Sequence, residues 1–164
     1  MVLNYSRFLQ ASCSLFEESF RVFERAIDMF PWPHKYEIWL EYLKVMVQRF
    51  KDSKVERIRE LFSKCMQSLP ETKSLQNQEL SQKGQIDQQG KLFYLLFSDF
   101  EEKYGLISHS VSILEKGIEN MDDKEVKFEL FNLVLAKTTQ YFGIMRTRKV
   151  FEKAFESLSG PYLI

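Results

Sequence analysis

Two short side-chain patterns alternate along this chain, each four times, at a separation that barely changes, and this leaves little choice of architecture. One pattern reads bulky, charged, basic, small, bulky: Phe23-Glu24-Arg25-Ala26-Ile27, Phe62-Ser63-Lys64-Cys65-Met66, Leu114-Glu115-Lys116-Gly117-Ile118 and Phe151-Glu152-Lys153-Ala154-Phe155, with Ser63 the one departure at the charged place. The other sets bulky residues three apart: Val2/Tyr5/Phe8, Trp39/Tyr42/Val45, Tyr94/Phe97/Phe100 and Phe128/Phe131/Val134. From the middle of each triplet to the head of the next pattern the distance is 18, 20, 17 and 20 residues. A supersecondary unit repeated at such a period cannot bury its apolar face alone and does so by stacking on its neighbours.

Each pattern has the period of a helix. Ile58, Leu61, Phe62, Cys65, Met66 and Leu69 fall on one helical face, as do Thr147, Val150, Phe151, Ala154, Phe155 and Leu158. Ser53-Lys54-Val55-Glu56 and Asp122-Asp123-Lys124-Glu125 have the spacing of capping boxes. Gly105 and Gly143 stand where a left-handed residue would end a helix, and Pro31, Pro33 and Pro70 stop others. The expected fold is all-α, a right-handed solenoid of antiparallel helical hairpins, with units at about 1–31, 36–70, 91–121 and 124–158. The packing set is Tyr5, Phe23, Ala26, Trp39, Tyr42, Phe62, Cys65, Phe97, Leu114, Gly117, Phe131, Phe151 and Ala154. The small places, Ala26, Cys65, Gly117 and Ala154, would leave room for a facing aromatic ring where two helices cross closely.

Residues 71–90 break the period. They hold six Gln among Ser, Lys and Asp, and are expected to form a disordered surface loop between the second and third units. The chain opens on the first position of its first triplet and closes on Pro161-Tyr162-Leu163-Ile164, an apolar run after a turn, so it is expected to be a segment of a longer array.

Composition narrows the function classes. Lysines and arginines equal aspartates and glutamates at 23 each, without the basic excess of a dedicated nucleic-acid binder. Two unpaired cysteines, Cys13 and Cys65, make neither a disulfide framework nor a zinc site and fit a reducing compartment. No signal peptide or membrane-spanning run is present. No phosphate-binding glycine loop, nucleophile elbow or metal-ligand helix motif occurs, so no catalytic, cofactor or metal residues are assigned and no small-molecule substrate is expected. Glu101 and Glu102 are adjacent on a helix and diverge by about 100°, which suits a solvated or capping role better than acid–base work.

The blocks Trp39-x-x-Tyr42 and Phe23-Glu24-Arg25-Ala26-Ile27 resemble the half-a-tetratricopeptide (HAT) repeat of RNA-processing proteins. Phe30-Pro31-Trp32-Pro33, Leu92-Phe93-Tyr94-Leu95-Leu96-Phe97, Glu101-Glu102-Lys103-Tyr104-Gly105-Leu106 and Tyr141-Phe142-Gly143-Ile144 are similar, in order, to the Syf-type pre-mRNA-splicing factors of the XPA-binding-protein family. The resemblance implies a non-catalytic, nuclear scaffold in the Prp19-associated spliceosomal complex, with other splicing proteins as partners and RNA contact secondary. A HAT protein of mRNA 3′-end or ribosomal RNA processing is the alternative. For partner contact the candidates are Trp32, off the repeat lattice between two prolines, and the basic cluster Arg146, Arg148 and Lys149.

Overall fold

The computed structural model describes residues 1–70 and 80–158, with backbone alone at 80–83. The described residues form helices joined by short turns, with no strand among them. They fall into two compact units, Met1–Ser68 and Leu69–Ile164.

The first unit holds α1 (Val2–Ala11), α2 (Phe16–Met29), α3 (Lys35–Phe50) and α4 (Val55–Ser68), each packed on the next. Its core is aromatic. The Tyr42 ring stacks on Phe23 at 5.1 Å and on Trp39 at 6.3 Å, and Phe20 tilts against it at 5.8 Å. All four rings are buried, and offset stacks of this kind add roughly 0.5–1.5 kcal/mol per pair beyond the area they bury. The Tyr42 hydroxyl meets its need for a partner by donating to Glu24 at 3.2 Å. Arg57 closes the outside with two hydrogen bonds to Glu17, each 3.0 Å.

The second unit holds α5 (Leu80–Tyr104), α6 (Ile107–Asn120), α7 (Lys124–Tyr141) and α8 (Ile144–Ser157). Helix α6 runs against both α5 and α7, and α5 and α7 also meet directly. Contacts pair Ser98 with Ser110 and Tyr94 with Asn120, so α6 is antiparallel to α5. Lys91 pairs with Glu129 and Tyr141 with Glu102, so α7 is parallel to α5. These are the contacts of two stacked hairpins.

The third hairpin differs from its sequence reading. Helix α5 starts at Leu80, so residues 80–90 of the expected loop are helical; residues 71–79 lie outside the described residues. Gln and Lys are fair helix formers and do not resist the extension. What anchors it is tertiary. Asp87 is buried, and its Oδ2 accepts the backbone N–H of Asp122 at 2.9 Å and of Asp123 at 2.8 Å. These amides sit at the start of α7, where helix N–H groups lack partners within the helix. Asp123 itself caps α7 by accepting from Glu125 N. The N-cap of α7 is therefore Asp123 and not Asp122, and it is reinforced from another helix.

Gly143 has φ +79° and precedes α8, a backbone state open to glycine, and its N–H reaches Thr138 O at 3.1 Å to close α7. Gly105 ends α5 through a bond to Glu101 O but, unlike Gly143, is not left-handed.

Candidate interaction surface

The expected packing residues separate into two groups. Phe23, Ala26, Trp39, Tyr42, Phe62, Cys65, Leu114, Phe131 and Ala154 are buried, and Phe97 is half-buried. Gly117 faces the Tyr94 ring so closely that a β-carbon there would stand 3.0 Å from Cγ. Tyr5 and Phe151 do not enter the core: each is about half exposed. Phe151 borders an open apolar groove with Phe128, Phe155 and Leu158, because one side of α8 has no described helix over it.

The densest polar cluster lies between α5, α6 and α7. Lys137 Nζ donates to Ser98 Oγ and Ser110 Oγ, each at 3.1 Å, and to the Glu102 carboxylate. Ser98 and Ser110 are bonded to each other at 2.7 Å. Tyr141 Oη donates to the other Glu102 oxygen at 3.1 Å. The hydrogen bond from Lys137 holds the Glu102 carboxyl below its ordinary value. A serine beside a lysine amine is one form of activated nucleophile, but both hydroxyls are fully buried and no substrate can reach them. The cluster joins three helices and fixes their register.

The remaining reactive groups read the same way. Burial pushes the Cys65 thiol far above its ordinary value, which keeps it protonated and inert. Cys13 is exposed and free. Among the described residues no group of His, Cys, Asp and Glu is placed to hold a metal ion, and no helix is long and apolar enough to cross a membrane.

Trp32 is half-buried, and its indole N–H donates to the carbonyl of Ser68, the last residue of α4, at 2.8 Å. Its polar handle is spent inside the unit, so only ring surface is left to offer. Of the basic cluster, Arg146 lies over the Phe142 ring at 4.3 Å and Arg148 approaches Glu152 at 3.6 Å. Lys149 is exposed with no ion pair among the described residues. Sequence reasoning missed the exposed apolar residues beside this cluster, Leu106, Ile144 and Met145. The repeat register would have shown Met145 as an apolar residue at a place its sister helices fill with polar ones.

Residues 1–161 match the family model described as the pre-mRNA-splicing factor Syf1/CRNKL1 C-terminal HAT repeat. Among curated proteins, the chain is 33% identical over 158 residues to the pre-mRNA-splicing factor syf1 homolog of Drosophila melanogaster, covering 96% of this chain and 16% of that protein. It is 35% identical to the pre-mRNA-splicing factor cwf3 of Schizosaccharomyces pombe, over 97% of this chain and 18% of that one. The human pre-mRNA-splicing factor SYF1 is 30% identical over 99% of this chain and 17% of its own length. The chain thus spans less than a fifth of the length of these relatives.

Proposed function

The chain belongs to the HAT-repeat family of the Syf1/CRNKL1 pre-mRNA-splicing factors, and we propose on that footing that it is a non-catalytic protein-interaction scaffold of the nuclear spliceosome. The observation that carries this is the match in order along nearly the whole chain to proteins named as splicing factors. The interior supports it. Its polar groups are spent on joining helices, as Lys137 and Asp87 are, and the reactive ones are sealed, as Cys65 is.

Membership of the Prp19-associated complex is the finer form of the proposal, with other splicing proteins as the primary partners and RNA contact secondary. A role in mRNA 3′-end or ribosomal RNA processing is not favoured, since the relatives carry splicing names. Trp32, Arg146, Arg148 and Lys149 are the side chains proposed for partner contact.

The test is affinity purification of the full-length protein from nuclear extract. Splicing proteins and spliceosomal RNA should be enriched over a tag-only control. Recovery of rRNA-processing or 3′-end factors in their place would overturn the proposal.

A further inference from the structure

We infer that the turn edge of the second unit, centred on Leu106 and Met145, is a docking surface for an acidic, amphipathic protein segment. The inference deepens the scaffold reading and rests on it for the kind of assembly involved.

The edge is assembled by the ends of α5 and α7, which the bond from Tyr141 to Glu102 holds side by side. Leu106 follows α5 and is 58% exposed, while Met145 stands in the first turn of α8 at 80%. Tyr104, the last residue of α5, and Tyr141, the last of α7, are also exposed.

The repeat itself shows that Met145 is out of place. In all four B helices (α2, α4, α6 and α8) the first residue lies seven before the head of the repeated pattern, so their positions superpose by number. The second residue is Glu17 in α2, Glu56 in α4 and Ser108 in α6, but Met145 in α8. This place keeps solvent contact when another hairpin is stacked behind it: the Glu17 side chain is 62% exposed with α3 and α4 in position, and Ser108 is half-buried with α7 and α8 in position. Further stacking therefore would leave part of Met145 in solvent. Leu106 is also exposed although α7 and α8 follow it. Methionine and leucine held in water serve neither hairpin, and a flexible thioether suits an adaptable contact.

The charges around the patch name the partner's sign. Arg146 and Lys149 have no carboxylate partner among the described residues, while Lys103 acts on the adjacent Glu102 and Arg148 pairs with Glu152 at 3.6 Å. Of the carboxylates where α5 meets α7, Glu102 is taken by Lys137 and Tyr141, and Asp99 lies 3.8 Å from Lys137. Helix α8 also lacks an acidic residue in its first turn, where α2 has Glu17 and Glu18 and α4 has Glu56. Cations near a helix N-terminus oppose its dipole; Arg146 is offset by the Phe142 ring and Arg148 by Glu152, but Lys149 has no such partner among the described residues, and an approaching anionic segment supplies one. An aliphatic centre favours a protein over RNA, because bases stack on flat rings.

The experiment replaces Met145 in the full-length protein with a photo-crosslinking phenylalanine derivative, irradiates it in nuclear extract and sequences the crosslinked product. The expected product is a protein segment mixing Asp or Glu with apolar residues. Its yield should fall several-fold at about 0.5 M salt, where the screening length is only a few ångström, and again in the R148E/K149E variant, whose circular dichroism should be unchanged. A crosslink to RNA, to a basic or neutral segment, to another part of the same chain, or to nothing would overturn the inference. If splicing proteins copurify while residue 145 fails in any of these ways, only the docking surface is lost. If an acidic segment is captured from a protein outside splicing, the surface stands and the spliceosomal reading falls.

Discussion

Tyr94 lies against Gly117 with no room for a side chain between them: a β-carbon on Gly117 would stand 3.0 Å from the ring's Cγ. The ring is buried, and its hydroxyl accepts from Asn120 at 2.9 Å, so it is pinned at both ends. Gly117→Val should therefore destabilise the second unit by about 1–3 kcal/mol through overpacking, although valine is the better helix former. Urea unfolding would measure it. An unchanged midpoint would mean that the two helices can move apart freely.

Asp87 offers a test of the reach of α5. Asp87→Ala leaves the Asp122 and Asp123 amides without their acceptor and should cost about 2–3 kcal/mol, the scale of hydrogen bonds to a charged group. Asp87→Asn, which keeps an oxygen acceptor, should recover a large part of the loss. Amide hydrogen exchange at residues 122–125 should quicken in the alanine variant; protection equal to the parent would show that the bonds contribute little.

Acid should weaken the join between α5 and α7. The Glu102 carboxyl is held below its ordinary 4.5, first by the hydrogen bond from Lys137. A carboxylate depressed in the folded state contributes stability that is complete above its unfolded value and is lost as pH falls through the folded one. Stability should thus decline as pH drops below about 4.5 in the parent, and less steeply in Glu102→Gln. Chemical denaturation at a series of pH values reads this directly, with parallel curves counting against it.

The two cysteines should differ sharply in reactivity. Cys13 is exposed, whereas Cys65 is buried with its thiol kept protonated. A thiol reagent such as dithionitrobenzoate should modify one cysteine at once and the second only after denaturant is added. Two fast equivalents under native conditions would show that the second hairpin opens readily.

Much of the fold was legible because packing repeats itself. Phe23, Phe62 and Leu114 head the same pattern and all are buried, and Gly117 faces a ring as a small residue at that place should. Helical period at a fixed spacing survives any one substitution. The start of α5 was not legible, since composition marks 80–90 as polar loop while one buried carboxylate, Asp87, holds it as helix. A long-range bond from residue 87 to residue 122 leaves no local trace. Phe151 shows the converse: its periodicity is right, but period gives only the side of a helix and not whether anything lies against it. Met145 and Leu106 were hidden for the same reason, as solvent exposure depends on the neighbours of a turn and not on its own residues.

The reach of Asp87 across to α7 also bears on how the second unit comes apart. In a simple stack, an end hairpin can peel away by giving up only the surface it shares with its neighbour. Here the first turn of α7 is tied by charge-assisted bonds to the long helix of the preceding hairpin, and Lys137 ties a later turn of α7 to the same helix. Fraying of the last hairpin must break both ties, well separated along α5, at the same time. The third and fourth hairpins thereby melt as one cooperative block, and the stretch that looks least like structure in the sequence helps to set that cooperativity.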